Sequence, residues 1–140
     1  MALEDLYQDI ILDHYRNPRN SASLDHIPIE NVHENPVCGD MLKLEVLVNK
    51  DGVLERILFD GKGCAISTAS ASIMTEEIAG KSVEEARRIA HSFIQIMRGE
   101  KSPDALDEMG DLVCLRGVIQ YPLRVKCATL AWHALLESLN

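Results

Sequence analysis

Residues 42–60 read LKLEVLVNKDGVLERILFD, and this stretch sets the fold. Leu42, Leu44, Val46 and Val48 alternate with Lys43, Glu45 and Leu47, which is the period of a half-buried strand. Asn49-Lys50-Asp51-Gly52 supplies a turn, and Val53 to Asp60 returns as the antiparallel partner. Gly61-Lys62-Gly63-Cys64 then breaks the strand. From Ala65 to Ile78 the chain reads as a helix crowded with Ala65, Ser67, Ala69, Ser70, Ala71 and Ser72, small residues that let a helix pack close to a sheet.

Beyond this unit the pattern is mostly helical. Ser82 followed by Glu85 is a capping box, and Val83, Ala86, Ala90, Phe93 and Met97 make one helix face before Gly99 stops it. Ser102-Pro103 opens a shorter helical turn closed near Gly110, and residues 111–121 read as a turn or loop. After Pro122 a last helix runs to about Leu139, burying Ala128, Ala131, Leu135 and Leu139. On the N-terminal side, Leu3, Leu6, Tyr7, Ile10, Ile11 and Tyr15 recur at helical spacing up to Pro18. Residues 17–37, rich in Asn, Ser and Pro, read as the least ordered stretch, with a short edge strand near Ile27–Ile29. Helix, hairpin and then several helices define an α+β fold: a small antiparallel sheet of about three strands with helices packed on one face. Residues 1–140 are expected to form a single domain, a length sufficient for one aliphatic core.

Composition narrows the function. The formal net charge is -8, with 12 acids and 5 bases in residues 1–60, so nucleic acid is not expected as a partner. No run of about 18 apolar residues exists and the N-terminus lacks the basic start of a signal peptide, so neither a membrane nor export is expected, and the setting reads as cytoplasmic. In a reducing cytosol four cysteines point to metal or thiol chemistry, not to a disulfide framework.

Three of the four lie at element junctions marked by Gly or Pro. In Asn35-Pro36-Val37-Cys38-Gly39-Asp40, Pro36 stiffens the approach and Gly39 permits a tight bend, so Cys38 and Asp40 can turn towards one point. Cys64 sits where strand gives way to helix, and the free amides of a first turn favour its thiolate. Cys127 is assigned the same setting in the first turn of the last helix, flanked by Arg124 and Lys126. Three thiolates and one carboxylate around Zn²⁺ leave negative charge that Lys62, Arg124 and Lys126 can offset. Sulfur suits zinc better than oxygen does, so a site with one carboxylate reads as reactive, able to release a thiolate. Cys114, between Val113 and Leu115, reads as a small core hydrophobe. The five histidines read as surface or satisfied residues, His33 alone being kept as a minor ligand alternative near Cys38.

The stretches Asn35 to Asp40 (NPVCGD), Gly61 to Ser67 (GKGCAIS) with Ala69-Ser70, and Pro122 to Trp132 (PLRVKCATLAW) resemble the IscU/NifU-N family of iron–sulfur cluster assembly proteins. Three motifs occur in the family's order over nearly the whole chain. Lys126 stands where scaffold-type IscU members carry histidine, and the span from Cys64 to Cys127 is longer than theirs, its residues 99–121 resembling the insertion of the SufU branch. That resemblance implies an IscU/SufU-like fold and a zinc site of Cys38, Asp40, Cys64 and Cys127. It implies a sulfurtransferase in which Cys38 accepts persulfide sulfur from a cysteine desulfurase of the SufS type, whose histidine replaces Cys38 on zinc while Arg124 supports the exchange. Downstream iron–sulfur assembly proteins would take the sulfur.

Three readings stay open. One is this zinc-dependent sulfur carrier; another is a scaffold holding a [2Fe-2S] cluster on Cys38, Cys64 and Cys127. The third is a non-catalytic zinc module whose metal only stabilises a binding domain.

Overall fold

The computed structural model describes residues 3–140. Its elements are α1 (Leu3–Arg16), β1 (His33–Asn35), β2 (Asp40–Val48), β3 (Leu54–Lys62), α2 (Ala65–Ile78), α3 (Val83–Met97) and α4 (Pro122–Ser138), with 3-10 segments at Ile29–Asn31, Pro103–Glu108 and Gly110–Gln120. The strands form one antiparallel sheet in the order β1-β2-β3. Leu42 and Leu44 of β2 and Leu54, Ile57 and Phe59 of β3 are buried, while Met41 and Leu47 on the other side of β2 stay exposed, so the period-two pattern chose the covered face. The turn forms as its residues dictate: Asn49 Oδ1 accepts from the amides of Asp51 and Val53 at 2.9 and 3.0 Å.

α2 is buried nearly all round, and its small residues serve its contacts with α1 and α4 more than those with the sheet. Ser70 Oγ donates to the Ala128 carbonyl of α4 at 2.6 Å and accepts from Trp132 Nε1 at 3.1 Å, satisfying polar atoms where a larger residue would hold the helices apart. The Trp132 ring packs on Phe93 of α3 with centroids 4.9 Å apart. Ser82 Oγ caps α3 by accepting from the Glu85 amide at 3.1 Å. Glu85 turns to Arg88 at 3.4 Å, so the cap is realised from the serine side.

Three expectations change. The short strand lies at His33–Asn35, not 27–29: Ile29 to Asn31 form a 3-10 turn behind Pro28, and the strand forms where it can pair with β2 across a tight loop. Residues 17–37 are ordered by polar tethers. The Arg19 amide donates to Ser72 Oγ at 2.8 Å, Asn20 Nδ2 donates to Thr75 Oγ1 at 3.0 Å, and the Leu24 amide donates to Asp60 Oδ2 at 3.0 Å above a fully buried Leu24 side chain. His14, buried against Ser72 Oγ at 2.7 Å, belongs to the same set. Finally, Gly110–Gln120 is 3-10 helix, because Leu112, Cys114, Leu115 and Val118 insert into the core and impose helical backbone on a segment with no clear period. No helix among the described residues is long and apolar enough to cross a membrane.

Candidate metal centre

The register of β1 with β2 builds the centre. Asn35 pairs with Asp40, so Pro36 to Gly39 form the loop of a hairpin, closed by a Cys38 amide donating to the Asn35 carbonyl at 3.2 Å. Gly39 has φ +72°, a left-handed conformation costly for other residues, and it lets the chain turn between Cys38 and Asp40. Cys38 is thereby left half-exposed while Asp40, two residues on, is 1% exposed.

A sulfur of Cys38, a carboxylate oxygen of Asp40 and the sulfur of Cys127 lie within 4.8 Å of one another, the one such grouping of metal-capable groups among the described residues. Cys127 Sγ is 3.0 Å from Cys38 Sγ and also points at the Leu123 carbonyl at 3.8 Å. Asp40 is held from three sides. Its Oδ1 accepts from the Cys64 amide at 3.0 Å and from Ser67 Oγ at 3.2 Å, and its Oδ2 accepts from Asn35 Nδ2 at 3.4 Å.

The Cys64 sulfur lies outside the grouping. It caps α2, accepting from the Ser67 amide at 3.4 Å, while its own amide reaches Asp40. The residue therefore borders the carboxylate through its backbone, and its side-chain torsion decides whether the sulfur faces the helix or the other three groups. Cys64 does occupy the helix start the sequence predicts. Cys127 does not: Pro122 opens α4, so Cys127 is the sixth residue, in the second turn and past the free amides. Burial there, with Cys38 and Asp40 against it, pushes the Cys127 thiol well above the ordinary cysteine range. A cation is what would make this buried sulfur a thiolate.

Of the three expected cations, Arg124 is the one that feels the sulfurs of the centre. It is exposed, and the sulfurs of Cys127, Cys64 and Cys38 hold its proton more tightly than usual. Lys62 lies on β3 among the residues lining a shallow cleft with Asp25 and Ile29. Lys126, the neighbour of Cys127, lines a groove of about 980 Å³ with His33, Arg98 and His133. His33 pairs with Glu137 at 3.4 Å and is not among the grouped donors. Cys114 is buried in the core, where burial pushes its thiol up to about 12, in keeping with a small hydrophobe.

The sequence gives Asn35, Gly63 and Ser67 no part at the centre, although each lies within a quoted motif. A methyl group on Gly63 would sit 2.5 Å from both Asp40 Oδ1 and Ser67 Oγ, so this glycine is the space the carboxylate occupies. Gly63→Ala is expected to displace Asp40 and to destabilise the metal-free protein by about 1–3 kcal/mol, the usual cost of overpacking. Urea unfolding checks this, and an unchanged midpoint would mean that the carboxylate is not fixed there.

Donor chemistry fits a borderline-soft divalent ion: two thiols and a carboxylate already adjacent, a third thiol next to them, and one guanidinium to offset charge. The loop that carries Cys38 is rimmed by apolar side chains left in water, Val37 at 56% and Leu123 at 60% exposure, with Cys38 Sγ 3.9 Å from the Leu123 carbonyl.

Residues 6–128 match the profile of the NifU-like N terminal domain. The chain is 43% identical over 133 residues to the zinc-dependent sulfurtransferase SufU of Bacillus subtilis, covering 95% of this chain and 88% of that one. It is 42% identical over 138 residues to the iron–sulfur cluster assembly scaffold protein IscU of Streptococcus pyogenes, covering 99% and 85%. A crystal structure described as a putative iron–sulfur cluster assembly scaffold protein for the SUF system, from Fervidobacterium islandicum, superposes with TM-score 0.79 at 29% identity over 99% of this chain and 100% of that one.

Proposed function

Because this chain belongs to the NifU-like N-terminal domain family and is of its SufU type, we propose that it is a zinc-dependent sulfur carrier for iron–sulfur cluster assembly. In this reading Cys38, Asp40, Cys64 and Cys127 hold zinc, Cys38 receives the sulfur, and residues 1–140 act as one working unit. The observation that carries it is the convergence of Cys38, Asp40 and Cys127 on one point, with Cys38 alone on an open, glycine-hinged loop. When bound, zinc keeps the thiolates deprotonated near neutral pH and quiet towards oxidants. The sulfur donor is a cysteine desulfurase of the SufS type carrying a persulfide, and the acceptors are downstream iron–sulfur assembly proteins. A cytoplasmic setting keeps the four cysteines as thiols.

Transfer is a thiol exchange. The Cys38 thiolate attacks the terminal sulfur of the partner's persulfide, a new S–S bond forms at Cys38, and the partner's S–S bond breaks to release its thiolate. The terminal sulfur keeps its proton, and no net oxidation occurs. Val37 and Leu123, exposed here, offer an apolar rim that a docked partner would cover. Arg124, held first by Cys127, offsets the negative charge of the ligands left behind as Cys38 departs.

Arg124→Ala is accordingly expected to lower sulfur transfer by about tenfold, the scale of one hydrogen bond to a charged group, with zinc retention changing less. Transfer assays set beside chelator titration check this, and equal losses in both would give Arg124 a merely structural part.

The scaffold reading is favoured by the 42% identity to a protein named as a scaffold and by the likeness to a crystal structure described as a putative one. Aerobic purification separates the two readings: tightly held zinc without visible absorbance supports the carrier, and a coloured [2Fe-2S] species supports the scaffold. Against the scaffold stands Lys126, whose side chain lines the neighbouring groove and adds no ligand for a cluster.

A further inference from the structure

Four candidate ligands raise a question that sulfur chemistry alone does not answer: why one thiolate should leave the metal and two should stay. The hydrogen bonds around the sulfurs differ in kind. Cys127 Sγ accepts from the side-chain amide of Asn35, Nδ2 to Sγ 3.6 Å. Cys64 Sγ accepts from the Ser67 amide at 3.4 Å, with Ser67 Oγ at 3.7 Å. Cys38 Sγ has two contacts, the Cys127 thiol at 3.0 Å and the Leu123 carbonyl at 3.9 Å, and both depend on a thiol proton. Once a metal replaces those protons both contacts vanish. Among the described residues no N–H group is directed at Cys38 Sγ.

An N–H donor directed at a thiolate stabilises its charge and lowers its nucleophilicity, and such outer partners tune metal ligands. Asn35 is built for this task. It is buried at 6% exposure on β1, its carbonyl accepts the Cys38 amide at 3.2 Å, and its Nδ2 spans Asp40 Oδ2 at 3.4 Å and Cys127 Sγ. One side chain thus fixes two ligands while its backbone only tethers the loop of the third. Ser67 does the corresponding work on the other side, joining Cys64 Sγ to Asp40 Oδ1.

We propose that Asn35 and Ser67 are positioning residues that select the reacting ligand: N–H···S bonds hold Cys127 and Cys64 in place as less nucleophilic spectator thiolates, and their lack at Cys38 leaves that sulfur the most nucleophilic and the least anchored of the three. The inference rests on the zinc-carrier reading and extends it from the ligands to the residues behind them.

Limited alkylation of the zinc-loaded protein with iodoacetamide, followed by peptide mapping, tests the choice of sulfur. In the unmodified chain Cys38 is expected to react first. In Asn35→Ala, Cys127 is expected to react at least tenfold faster than before, within the 10–100-fold range over which outer partners act, and the sulfur-to-metal charge-transfer bands of the cobalt-substituted protein are expected to move to lower energy. Asn35→Gln, which keeps an amide donor, should restore part of both. Cys38 labelled first in both proteins, with the Cys127 rate and cobalt bands unchanged, overturns the role of Asn35 and leaves the carrier reading intact. Cys127 or Cys64 labelled first in the unmodified chain overturns both. Should Asn35→Ala not fold, NMR of the isotope-labelled, cadmium-loaded unmodified chain decides: scalar coupling from cadmium to the Asn35 side-chain amide supports the proposal, and no coupling there contradicts it.

Discussion

Cys38→Ala is expected to abolish stimulation of the partner cysteine desulfurase, returning cysteine turnover to the rate of the desulfurase alone. Cys127 is fully buried beneath the 36–39 loop and Cys64 caps α2, so neither is presented as an attacking thiolate when Cys38 is gone. Alanine at this position removes the atom to which the transferred sulfur would bond, and no rearrangement of the remaining ligands supplies one on an open loop. Folding should be untouched. Cys38 is half-exposed and outside the hydrophobic core, so the metal-free stability should stay within about 0.5 kcal/mol of the original, as for surface substitutions generally. Steady-state desulfurase assays beside urea unfolding check both halves. Undiminished stimulation by a folded Cys38→Ala protein would remove the transfer reaction from this chain.

Asp40→Ala is expected to have the largest effect on the metal and on the fold together. Zinc affinity should fall by at least the roughly 10–100-fold that loss of an outer partner alone costs, because here a candidate ligand itself is lost. The carboxylate, carried by β2, also joins β1 and α2: Asn35 Nδ2 from β1, the Cys64 amide at the start of α2 and Ser67 Oγ within α2 all donate to it. Each donor that water cannot reach after the substitution costs about 1–3 kcal/mol. Metal-free stability should therefore drop by an amount visible in a urea midpoint. Competitive chelator titration measures the affinity, and unchanged zinc binding would take Asp40 out of the ligand set. Gly63→Ala should reproduce a weaker form of the same defect, since it presses on the same oxygen.

Much of this was legible in the residues. The alternation from Leu42 to Val46 marks which face of β2 is covered, although Val48, beyond a register shift, is exposed, and Ser82, Gly99 and Pro122 mark helix ends found within a residue of their expected places. Elements were missed where local pattern is overridden by tertiary demand. The Gly110–Gln120 segment is helical because four of its side chains reach the core, and β1 forms because β2 offers it an edge.

Within the centre, Cys38, Asp40 and Cys127 are readable because each falls in a stretch punctuated by Gly or Pro. The placement of Cys127 in a first turn failed by one turn, since Pro122 begins the helix and the free amides end before residue 127. Asn35, Gly63 and Ser67 escaped because their roles are spatial: an amide spanning two ligands, a missing methyl and a hydroxyl that bonds a residue 27 positions away leave no periodic trace.

The most direct test is X-ray absorption at the zinc edge of the aerobically purified protein, because it counts the atoms on the metal. The expected result is one zinc per chain with a shell of three sulfurs and one oxygen, the Cys64 sulfur being drawn towards Cys38, Asp40 and Cys127 from its place at the start of α2. A shell of two sulfurs, or protein that holds no zinc at all, would contradict the four-residue centre.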